Sequence, residues 1–180
     1  MTVHLSAIVL SLMLGAIAFP QDQEGLKKTS HSPVSTSPAP VTRLESSVSF
    51  DRIGRLFNSV LHLSIPANGK IQSPNSPVTR SEVIEEFARY YRLAEPTFKL
   101  TPKTVEFDVN RIKVDQPSVK KDLMMLIKRG CVASYGMLST GTVKTVSVGD
   151  FGDAIGMFIA RIAEMTHTSS TKWTPYLHGN

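Results

Sequence analysis

One cysteine, Cys131, in a chain of 180 residues leaves this protein no internal disulfide. The constraint matters because the chain opens like an exported one. Leu5 to Phe19 is an apolar run broken only by Ser6, Ser11 and Gly15. It is shorter than the roughly 20 apolar residues that a spanning helix needs. The run closes on Ala16-Ile17-Ala18, the small-x-small pattern of a cleavage site, so residues 1–18 read as a signal peptide although Met1-Thr2-Val3-His4 lacks Lys or Arg. Secreted domains that lean on disulfides carry even numbers of cysteines. This one must be held by packing, with Cys131 either a small buried hydrophobe or the partner in an intermolecular bond.

From Gln21 to Ser49 the chain is Ser, Thr, Pro and charge with few large apolar residues, a composition that buries too little to offset its ordering entropy. Residues 19–49 therefore read as a disordered leader, with Lys27-Lys28 as a candidate processing pair, and residues 50–180 as one domain. Within it Phe50, Ile53, Phe57, Val60 and Leu61 fall at helical spacing over Phe50–Leu63. Turn-formers fill Ser64–Pro77. A second helix is expected over Arg80–Leu93, capped by Thr79 or Ser81, with Val83, Ile84, Phe87, Tyr91 and Ala94 inward. Thr101-Pro102 signals a helix start, and Val105, Val109 and Ile112 continue it, while Val105, Phe107 and Val109 also alternate as in a strand. Gln116-Pro117 interrupts. Ser118–Arg129 is a helix stopped by Gly130. Cys131–Leu138 and Thr142–Val148 around Ser139-Thr140-Gly141 suggest a β-hairpin insertion. A last helix, Phe151–Thr166 capped by Asp150, carries Ile155, Phe158, Ile159, Ile162 and Met165 on one face, and the aromatic tail Lys172–Leu177 is expected to pack down. The fold class is mainly α, a small helical bundle.

Catalytic patterns fail. The histidines His4, His31, His62, His167 and His178 are scattered rather than at ligand spacing, so neither metal nor cofactor is expected. A Cys131–His167 dyad has no local support. Gly149-Asp150-Phe151-Gly152-Asp153 lacks the lysine of a phosphate loop and reads as a turn into a helix cap. The expectation is a protein that is not an enzyme. All 20 Lys+Arg and all 15 Asp+Glu lie after Ala18, so the net charge of +5 stays with the exported part and favours polyanionic partners. The cations concentrate on the helices, and the order helix, helix, hairpin from Thr101 to Val148 also matches a winged helix, with Ser118, Lys120 and Lys121 near DNA.

Several islands resemble the gastropod sperm acrosomal proteins, egg lysin and its fusagenic paralogue. They are Thr104-Val105 with Val109-Asn110-Arg111, then Val148-Gly149-Asp150-Phe151 followed by Arg161-Ile162, then Lys172 with Pro175-Tyr176-Leu177. The resemblance implies a non-enzymatic helical bundle, stored in the sperm acrosome, a secretory vesicle, and released to act in fertilisation on the egg-coat glycoprotein or on the egg plasma membrane with its anionic lipid. A homodimer is within that frame, and a helical secreted signalling ligand is the other non-enzymatic reading. The expected contact cations are Arg80, Arg89, Arg92, Lys120, Lys121, Lys128 and Arg129. Leu123, Met124, Met125 and Phe158 are candidates for an exposed apolar patch, or are plain core.

Overall fold

The computed structural model describes residues 39–101, 104–169 and 172–173. The signal-peptide reading, the leader before residue 39, Pro102 and most of the aromatic tail lie outside the described residues. What is described is a mainly α-helical bundle of four helices: α1 (Arg43–Val60), α2 (Arg80–Ala94), α3 (Pro117–Lys128) and α4 (Val148–Thr166).

Three of these helices begin at one clasp. The strand-like residues that precede α1, α2 and α4 lie side by side, in the antiparallel bridges Pro40↔Ser147, Thr42↔Pro77 and Thr79↔Thr145. Val41 N–H donates to the Val146 carbonyl at 2.9 Å and Val78 N–H to the Val41 carbonyl at 2.8 Å. Val41, Val78 and Val146 are buried between them. Each helix is then capped as it leaves. Thr42 and Thr79 form capping boxes with Glu45 and Glu82, the hydroxyl accepting the third N–H at 3.2 Å in both. Ser147 caps α4 through the Asp150 N–H at 3.1 Å.

Below the clasp the helices meet through aromatic rings. Phe50 of α1 lies 5.2 Å from Phe87 of α2, and Phe87 lies 4.9 Å from Phe158 of α4. Trp173, 1% exposed, closes on Phe57 at 6.0 Å, so that part of the tail does pack down. Tyr90 reaches the centre of this cluster because its hydroxyl donates to the Phe50 carbonyl at 2.7 Å. Helix α3 packs on α2 through Val119, Leu123, Leu126 and Ile127, all buried.

Four expectations are corrected. The first helix starts seven residues before Phe50, and Val41 at 2% exposure belongs to the core, so the ordered domain reaches into the stretch read as leader. Among the described residues the expected helix after Thr101 is absent. Residues 104–116 are irregular apart from one 3-10 turn, Val109–Arg111, which Asp108 caps through the Asn110 N–H. The residues this segment buries are Ile112 and Val114, two apart, while Val105 and Val109 stay exposed, so no helical face exists to bury. The hairpin is also absent. Thr145 and Ser147 find their partners at Thr79 and Pro40, distant in sequence, and Gly136 (φ 110°) turns residues 131–141 into a coil closed by Thr140 N–H on the Gly136 carbonyl. The cap of α4 is Ser147, not Asp150. Without its first helix and its wing, the winged-helix alternative loses the two elements that defined it.

Candidate binding surface

The cations read from the sequence divide into two groups. On α2 they are engaged inside the molecule. Arg80 reaches from the first turn of α2 across to the irregular segments, where its guanidinium donates to the carbonyls of Lys113, Gly141 and Met137. Burial pulls its pKa below the ordinary arginine value, while the Asp115 charge works the other way. Arg89 donates to the Glu86 carboxylate at 2.7 Å and to the Asn68 side-chain oxygen at 3.1 Å, and stands 4.4 Å from the Tyr90 ring centroid. Partial burial opposes that charge, yet Glu86 outweighs it and holds the guanidinium above its usual value. Arg92 bridges to Asp122, tying α2 to α3. Arg129 ends α3, half-buried, and its carbonyl accepts from Arg161 Nε at 2.7 Å.

The lysines of α3 form the second group. Lys121 and Lys128 are exposed and Lys120 is half-buried. Among the described residues none of the three is in an ion pair. Lys113 and Lys144, on the irregular segments, are likewise exposed and unpaired.

The expected apolar patch is corrected outright at two positions. Leu123 and Phe158 are 0% exposed and belong to the core. Met124 and Met125 are partly buried and pack against that core. Cys131 is fully buried, and burial pushes its thiol up to about 12, so it is a packing residue and not a nucleophile for the exposed His167. Among the described residues no cluster of His, Cys, Asp or Glu could hold a metal ion.

Of the concavities that lie away from α3, two are lined in part by cations. The larger, about 460 Å3, sits between α1, α2 and the connection between them. Two of its three glutamates are already engaged, since Glu82 takes Arg43 at 2.9 Å together with the Thr79 cap and Glu86 takes Arg89, while Glu85 is exposed. The other, about 380 Å3, is lined by Asn110, Arg111, Lys113, Tyr135 and Thr140. Tyr135 was not singled out in the sequence, where a lone tyrosine among Ala133, Ser134 and Gly136 gives no signal beyond its own exposure cost.

No protein-family model matches the chain, and no curated protein or solved structure matches it. The acrosomal resemblance therefore stands on the quoted residues alone.

Proposed function

We propose that this is a stoichiometric, non-enzymatic binder of polyanionic extracellular surfaces. Within the acrosomal resemblance, it is secreted, stored in the acrosomal vesicle and acts on the egg-coat glycoprotein. The observation that carries the reading is the division of the cations. Arg80, Arg89 and Arg92 are engaged in internal contacts, whereas Lys113, Lys120, Lys121, Lys128 and Lys144 stand without carboxylate partners. Unpaired lysines on a chain of net charge +5 attract an anionic partner over a range set by the screening length, about 8 Å at physiological salt.

The coat is favoured over the membrane by the burial of Leu123 and Phe158. A helix that lies in a lipid interface offers it an apolar face, and α3 and α4 turn theirs into the bundle. Fusagenic action would need the bundle to open first.

The test is binding of the purified mature chain to isolated egg envelopes and to anionic vesicles over a salt series. Binding to envelopes should weaken as salt rises, and Lys120→Glu with Lys121→Glu should weaken it further at low salt. Lack of binding to both targets at physiological salt overturns the reading. Saturable, salt-insensitive binding to a single receptor would put a signalling ligand in its place.

A further inference from the structure

The irregular half of the molecule carries a hollow whose lining has the chemistry of a sugar site. Arg111 and Lys113 supply two cations from the 104–116 segment, Tyr135 an aromatic ring and Thr140 a wall from the 131–141 coil, and Asn110 an amide. Tyr135 is 77% exposed, far beyond what packing requires of a tyrosine. The Arg111 side chain is 78% exposed, and its ion pair to Asp108 is long at 3.9 Å, a geometry that contributes little in water.

These exposed side chains stand on a fixed frame. Arg80 clamps the two lining segments to each other, with one arm on the Lys113 carbonyl and the other on Gly141. Lys113 N–H donates to the Ser139 carbonyl at 2.9 Å. The Thr140 hydroxyl is held by Gly136, whose N–H it accepts at 3.1 Å. A backbone tied at this many points presents its side chains with little ordering left to do on binding, which favours affinity.

We propose that this hollow binds an acidic glycan, a sugar chain bearing sulfate or carboxylate groups. The inference rests on the binding role given above and names the ligand class for it. Two cations provide charge-assisted hydrogen bonds to the anionic group. The open face of Tyr135 takes the apolar C–H face of a sugar ring, and the Asn110 amide both donates to and accepts from ring hydroxyls. A nucleic acid strand is a poorer fit, because such grooves track several phosphates and stack successive bases on several rings, and this hollow offers one ring and two cations.

The experiment titrates the full secreted chain with a heparin-derived tetrasaccharide, with the same tetrasaccharide stripped of sulfate but keeping its carboxylates, and with phosphatidylserine vesicles. Arg111→Ala with Lys113→Ala should weaken tetrasaccharide binding about tenfold, and Tyr135→Ala about fivefold. Arg55→Gln, on an exposed position of α1 and outside the lining, should change it by less than about twofold. Retained binding of the desulfated form identifies carboxylate as a sufficient anchor, and its loss identifies sulfate; both accord with the proposal. Circular dichroism of each variant should match the parent, since Arg55, Arg111, Lys113 and Tyr135 are all exposed. Unchanged tetrasaccharide binding in the Tyr135 variant overturns the site, as does a loss in the Arg55 variant equal to the hollow's. Vesicle binding that depends on Tyr135 without tetrasaccharide binding overturns it in favour of lipid. Envelope binding that survives while the hollow variants bind sugar normally leaves the general function standing and removes only this site.

Discussion

Where α2 meets α1 and α4, side chains hold the molecule. Where its first turn meets residues 104–116 and 131–147, backbone carbonyls do, gathered by one arginine. Phe87 sits between Phe50 at 5.2 Å and Phe158 at 4.9 Å, in a cluster that also takes in Phe57, Tyr90 and Trp173. Arg80 sits among the carbonyls of Lys113, Met137 and Gly141 in segments that hold a single 3-10 turn and no α-helix or sheet. The first arrangement is redundant, because each ring has several neighbours and the loss of one leaves the others in place. The second is not, because three acceptors depend on one donor group. The hollow proposed as a sugar site lies on the second, where backbone shape is fixed but side chains are left facing water.

The contrast can be broken most forcefully in the core. Phe158→Ala removes a fully buried ring that touches both Phe57 and Phe87, and should lower unfolding stability by about 3–5 kcal/mol in denaturant titration. A loss below about 1 kcal/mol would mean that the remaining rings close the space, and that the cluster carries less than its geometry indicates. Arg80→Gln comes next, at about 2–3 kcal/mol, because it leaves the partly buried carbonyls of Met137 and Gly141 without their donor. Its signature is regional. The Lys113 and Thr140 amides, bonded to Ser139 and Gly136, should exchange faster with solvent while the amides of α2 around Phe87 keep their protection. Equal acceleration in both regions would show that the two halves open as one unit, and the contrast would fall.

The same division decided what the sequence disclosed. Val83, Ile84, Phe87, Tyr91 and Ala94 face inward as their 3.6-residue spacing predicts, and the Gly130 stop after α3 takes the left-handed conformation expected of it, φ 72°. The true start of α1 was also legible. Thr42-Arg43-Leu44-Glu45 repeats the pattern of Thr79-Arg80-Ser81-Glu82, and both are capping boxes, but Ser- and Pro-rich neighbours masked the first. The irregular half left no such trace. Thr145 and Ser147 alternate with Val146 as a hairpin strand would, yet their partners are Thr79 and Pro40, and spacing within a segment says nothing of partners 66 or 107 residues away. Arg80 reads as a solvated cation for the same reason, since its acceptors lie 33 to 61 residues on. The hollow around Tyr135 follows from those long-range bonds, so it was hidden with them.

The finest test of the contrast is Ser139. Its side chain is wholly buried and its hydroxyl has no hydrogen-bond partner among the described residues, although its carbonyl accepts from Lys113. An unsatisfied buried hydroxyl opposes folding, and an alanine of nearly the same shape removes the group without opening a cavity. Ser139→Ala should therefore raise stability by about 1 kcal/mol, the opposite sign to the two changes above, read as a higher denaturation midpoint at unchanged slope. A gain would mean that the irregular half reached its conformation through Arg80 despite a local misfit at position 139. A loss would mean that the hydroxyl is hydrogen-bonded in solution, and that this half is satisfied by its own side chains as the core is by its rings.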